Sequence, residues 1–308
     1  MNAKRDLLPW STLLYVVVVL ASLPMTARTS GAPPPPGFDP ALGMIIAQVG
    51  TILVPTLIFV LITREPAQEL LNLRRLDIGS GIKSFLVGLM CWPMFAFLST
   101  LAMILTGLLH PAAPSSSTSM TGQAGSAWLI FLGVVLVAPL CEELLFRGIL
   151  LSTYQKRFAV HAIWLVGILF AFLHPSLDQV LGALFVGMVA GWVVYRTRSL
   201  WAGVLLHAGT NLFGGALVLL TTLAAPGALE DAAQTGDSGA MVWIGALVWG
   251  VIGLVMLIPV FFLLRSIARS HAAPEAPGVG LSLKALWAPA AAMIGVVGYT
   301  VYDLLLGA

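Results

Sequence analysis

Charge is what this chain has least of. Asp, Glu, Lys and Arg make up 9% of its 308 residues, where soluble globular domains carry roughly a quarter. A water-soluble fold is therefore excluded. A net charge of +2 excludes a strongly basic surface of the kind that holds nucleic acid. Cysteine is nearly absent too. Cys91 and Cys141 are the two, and both fall in apolar stretches. That rules out a disulfide framework, a CxxC pair and a zinc-ribbon spacing. Cys141 directly precedes Glu142, which raises a thiol nucleophile, but it reads as a small buried apolar residue. No HExxH occurs either, so the commonest helical zinc-protease signature is missing.

What remains is oil. Hydrophobic residues make up 59% of the chain, which predicts an all-α, polytopic transmembrane bundle. Nine apolar segments stand out, at roughly 10–25, 41–63, 82–109, 127–153, 159–175, 178–195, 199–223, 239–264 and 285–307. Lys4 and Arg5 before the first segment resemble the start of a signal peptide. Cleavage there would leave eight spans, and a retained helix is the preferred reading. Basic residues fill alternate loops: Lys4 and Arg5; Arg64, Arg74, Arg75 and Lys83; Lys156 and Arg157; Arg196 and Arg198; Arg265, Arg269 and Lys284. The opposite loops hold Arg28 alone. This alternation predicts a multi-pass protein of the cell membrane with a cytoplasmic N-terminus and an outer C-terminus. The chain divides into N-terminal helices and outer loops (1–126), a central helical core (127–223) and C-terminal helices (224–308). The lipid bilayer is one expected partner. Nothing in the sequence speaks to oligomeric state.

A census of the membrane interior is short. Leaving aside Asp178 and His161 at the starts of their segments, Glu142, Glu143 and at most Asp303 of 13 acidic residues fall in apolar segments, and of five histidines His174 and His207 do. Each such group costs on the order of 2.5–3.5 kcal/mol at a helix centre. They are ordered as Glu142-Glu143-x-x-x-Arg147, Phe170-x-x-x-His174 and His207-x-x-x-Asn211. At about 100° per residue, Glu143 and Arg147 share a helix face and can pair. Glu142 points away from that partner, and an unpaired carboxyl suits general acid–base work. His207 and Asn211 share a face and can both donate into one space. Pro139, one turn before Glu142, frees a carbonyl and favours a kink. Counting about 1.5 Å per residue from the inner ends, Glu142 lies roughly 15 Å deep, His207 roughly 10 Å and His174 nearer 20 Å. A tilted or late-starting fifth span would bring the three together.

The ordered set of three motifs resembles the CPBP family of intramembrane proteases. That family groups type II CAAX prenyl endopeptidases with bacteriocin-processing and immunity proteins. Ser199-Leu200-Trp201 also resembles the family, and the likeness covers about residues 127–215. It implies hydrolysis of a peptide bond in a membrane-associated or lipid-anchored protein. Carried onto this chain, Glu142 and His174 would activate water, while His207 and Asn211 would stabilise the oxyanion. Glu143, Arg147 and Phe170 would support them.

Other readings use the same residues. Glu142, His174 and His207 would make a two-His, one-carboxylate zinc site with water as fourth ligand. Resemblance to the family favours catalysis without a metal or other cofactor. A transporter or proton relay would also need buried ionisable groups, but the motifs occupy only the middle third. A non-catalytic immunity or scaffold protein would not need the motif side chains at all.

Overall fold

The computed structural model describes residues 6–29, 39–109, 124–174, 176–224 and 239–272. The described residues are helical nearly throughout. They form no strand, only one isolated bridge between Leu73 and Ser199. Among the described residues, nine helices follow in chain order. They are α1 (Leu8–Thr29), α2 (Pro40–Thr63), the short α3 (Ala67–Leu70), α4 (Ile78–Leu109), α5 (124–158), α6 (Ala162–Leu173), α7 (Val180–Thr197), α8 (Leu200–Ala224) and α9 (Gly239–Ser270).

Among the described residues, six helical stretches are long and apolar enough to cross a membrane, which makes this a multi-pass membrane protein. The expected count of nine is not reached on that criterion. The expected ninth segment, 285–307, lies outside the described residues. One of the six, Ala127–Leu173, is 47 residues long but does not run straight. Ala159 takes φ 48° and ψ −127° and ends α5. The chain then doubles back, so that the rings of Phe146 on α5 and Phe170 on α6 stand 5.1 Å apart.

α6 has 12 residues, about 18 Å at 1.5 Å per residue, which is short of a hydrocarbon core about 30 Å thick. It ends with His174 as its extended C-terminal cap (φ −77°, ψ 123°).

Close approach of helices sets the frame. Gly88 on α4 lies against the Leu206 carbonyl of α8, and Gly209 on α8 lies against the Phe85 carbonyl of α4. A Cβ at either would strike backbone, so each glycine admits the other helix, as small residues do in membrane bundles. α6 and α7 pack antiparallel, with Gly167 against Met188 and Gly191 against Ile163. α1 buries the stripe Leu8, Ser11, Thr12, Tyr15, Val18, the spacing of one helix face. Its Tyr15 hydroxyl donates to the Leu169 carbonyl of α6 at 2.9 Å. By contrast α9 leaves Leu247, Leu254 and Phe262 exposed, as a lipid-facing helix would.

Three π-helical stretches interrupt the rods, at Gln48–Leu53, Gly133–Val137 and Leu144–Leu150. Pro55 and Pro139 follow the first two within two residues. Proline has no N–H, so a carbonyl one turn earlier loses its helical donor. Side chains from elsewhere cap two carbonyls in these stretches. Asn211 Nδ2 donates to Val134 O at 2.9 Å and Asn72 Nδ2 to Arg147 O at 2.7 Å. Such widened turns recur at functional sites.

Candidate active site

Glu142 and Glu143 are consecutive on α5, between the second and third π stretches. Both are buried, yet their surroundings differ. Glu143 Oε1 accepts from Arg147 Nη1 at 2.7 Å and from His207 Nδ1 at 3.0 Å. The ion pair expected from i,i+4 spacing is present and fully buried. Arg147 Nη2 donates onward to the Gly187 carbonyl of α7 at 3.0 Å. The guanidinium carbon lies 4.5 Å from the Phe170 ring centroid, within cation–π range. Gly203 on α8 makes room for this cluster, because a Cβ there would collide with Glu143 Oε2 and Val194.

Among the described residues no cation is hydrogen-bonded to Glu142, although the buried Arg147 lies within electrostatic reach of it. Its Oε1 accepts from Gln48 Nε2 of α2 at 3.0 Å, and its Oε2 is buried without a donor among the described residues.

Phe170 joins the other two motifs. Its ring lies edge-to-face with His174 at 5.1 Å and with His207 at 5.5 Å between centroids. Residues from α5, α6 and α8 therefore meet in one place. His174 Nδ1 lies 3.1 Å from the Phe170 carbonyl. A carbonyl only accepts, so Nδ1 donates to it, and Nε2 keeps a lone pair whenever the ring is neutral. The same logic places a proton on His207 Nδ1, facing the Glu143 carboxylate. Asn211 spends one amide hydrogen on Val134 O and keeps a second.

Sequence reasoning paired Glu143 with Arg147 but missed its bond to His207. Three further contributors went unnoticed: Gln48, Asn72 and Gly203. Gln48 left a signal, since it is the one amide in the segment 41–63, but the census counted only ionisable groups. Among the described residues, no group of three or more His, Cys, Asp or Glu side chains is placed to hold a metal ion. A groove of about 840 Å³ opens between α4 and α8, lined by Ile78, Ile82, Phe85, Trp201 and Leu205 among others. None of the motif residues is among those lining it.

The comparisons with known proteins bear on this same region. Residues 124–213 match the family model described as type II CAAX prenyl endopeptidase Rce1-like. The match covers all three motifs and leaves the flanking helices outside it. No curated protein and no solved structure matches the chain.

Proposed function

We propose, from the match of residues 124–213 to the type II CAAX prenyl endopeptidase Rce1-like family, that this chain is an intramembrane endopeptidase. Its substrate is a membrane-associated or lipid-anchored protein, cut at a peptide bond by activated water. The observation that carries the reading is the meeting of the motifs. Phe170 holds both imidazoles against one ring, and His207 is bonded to Glu143, the residue next to Glu142.

In this reading Glu142 Oε2 is the base. It takes a proton from water while His174 Nε2 accepts the water's other hydrogen. The oxygen attacks the carbonyl carbon, and the C=O pair moves onto oxygen. Asn211 donates its second N–H to that oxyanion. His207 donates from Nε2, which requires the imidazolium, since Nδ1–H already faces Glu143. Each such donor contributes on the order of 3–4 kcal/mol to the transition state. Collapse breaks the C–N bond, and the proton held by Glu142 passes to the leaving amine. The products are one carboxylate and one amine. The alternation of basic loops supports a cytoplasmic N-terminus.

The test is cleavage of a fluorogenic peptide with a prenylated cysteine near its C-terminus, by protein purified in detergent. Glu142→Gln, His174→Ala and His207→Ala are each expected to abolish cleavage while the protein still inserts and remains monodisperse. Cleavage at the wild-type rate by Glu142→Gln would refute the assignment.

A further inference from the structure

Gln48 lies on α2, outside the matched segment 124–213. An amide in the middle of an apolar helix is costly unless its hydrogen bonds are met. α2 and α5 approach closely at Gly133, where a Cβ would collide with Met44. The π stretch that begins at Gln48 packs on residues 138–143. This places the Gln48 amide 3.0 Å from Glu142 Oε1. A carboxylate only accepts, so the NH₂ must face Glu142 and Gln48 Oε1 must turn aside.

Two oxygens then remain: Gln48 Oε1 and Glu142 Oε2. Both are buried, and no group among the described residues donates to either. Both are acceptors, and one water molecule offers two O–H donors. We propose that Gln48 positions the Glu142 carboxylate and shares with it the binding of the water that attacks the substrate. The amide N–H occupies Oε1, which leaves Oε2 as the basic oxygen. The amide oxygen holds the second O–H while the water waits, and that O–H turns to His174 Nε2 as the water attacks, so the lone pairs of the water face the peptide carbonyl throughout. No bond is made or broken at Gln48 itself. This inference rests on the hydrolytic reading of the site, in which Glu142 is the base.

The experiment compares wild type, Gln48→Met, Gln48→Asn and Glu142→Gln on the prenylated fluorogenic peptide, with kcat and KM resolved and the melting temperature of each recorded. Met keeps the length and loses both polar atoms. Asn keeps the amide but falls one methylene short of Glu142, which guards against misfolding of a single variant. Both Gln48 variants are expected to lose on the order of 10–100-fold in kcat, the range seen when a group that orients a catalytic ligand is removed. KM is expected to stay within about twofold, because Gln48 does not touch the substrate. Wild-type kcat in both Gln48 variants, with Glu142→Gln inactive, overturns the role of Gln48 and leaves the hydrolytic reading standing. A raised KM with unchanged kcat overturns it too, since Gln48 would then contact substrate. Wild-type cleavage by Glu142→Gln, or none by wild type, brings down the hydrolytic reading and this inference with it.

Discussion

The two sides of α5 at residues 142 and 143 treat a buried carboxylate in opposite ways. Toward α7 and α8, Glu143 meets an arginine and a histidine on one oxygen, and the arginine is fixed in turn to the Gly187 carbonyl and the Phe170 ring. Toward α2, Glu142 meets one neutral amide and keeps an oxygen without a donor. One residue of sequence separates a carboxylate held as a structural charge from one free to exchange a proton. Removing a partner from a buried ion pair leaves an uncompensated charge, so the Glu143 side resists change. The Glu142 side costs less to alter and, in the proposed mechanism, carries the reaction.

Five substitutions, one of them added to another, sharpen that contrast. Glu142→Gln removes the base and is expected to lower kcat by roughly 10²–10⁴-fold with little change in thermal stability. Equal loss of stability would erase the distinction between the two sides. Arg147→Met is expected to destabilise the fold by about 3–5 kcal/mol, read by denaturation in detergent. Adding Glu143→Gln should recover much of that loss, because the stranded charge is gone. Asn211→Ala is expected to cost roughly 10²-fold in kcat through one lost oxyanion donor. A stability loss alone would mean that its bond to Val134 O is its whole role. Tyr15→Phe, far from the carboxylates, removes one hydrogen bond to Leu169 O. It should cost about 0.5–1.5 kcal/mol of stability and leave kcat unchanged.

Some of this was legible in the sequence. The i,i+4 spacing of Glu143 and Arg147 depends only on helix geometry, and the pair is there. The spans themselves follow from apolar run length, and the reversal between 127–153 and 159–175 was legible in Lys156 and Arg157, which fall between the two segments. The backbone at Ala159, with its positive φ, sets where the turn falls. What joins different helices was harder to see. The bond from His207 to Glu143 depends on how α8 rotates against α5, and no local period encodes that. Asn72 sits in a loop, where an asparagine is ordinary, and its function depends on a carbonyl exposed by a π stretch elsewhere. Pro139 did announce a freed carbonyl. That Asn211 would take a carbonyl in that turn required the fold.

The central claim is that Glu142 activates water for peptide hydrolysis. Its most direct test is the rate of cleavage of the prenylated peptide by wild type and Glu142→Gln, each purified and treated with a strong chelator. The account predicts that treated wild type cleaves at its untreated rate and that Glu142→Gln does not cleave. Cleavage by Glu142→Gln at the wild-type rate would contradict it. So would wild-type activity that vanishes with the chelator and returns on adding zinc.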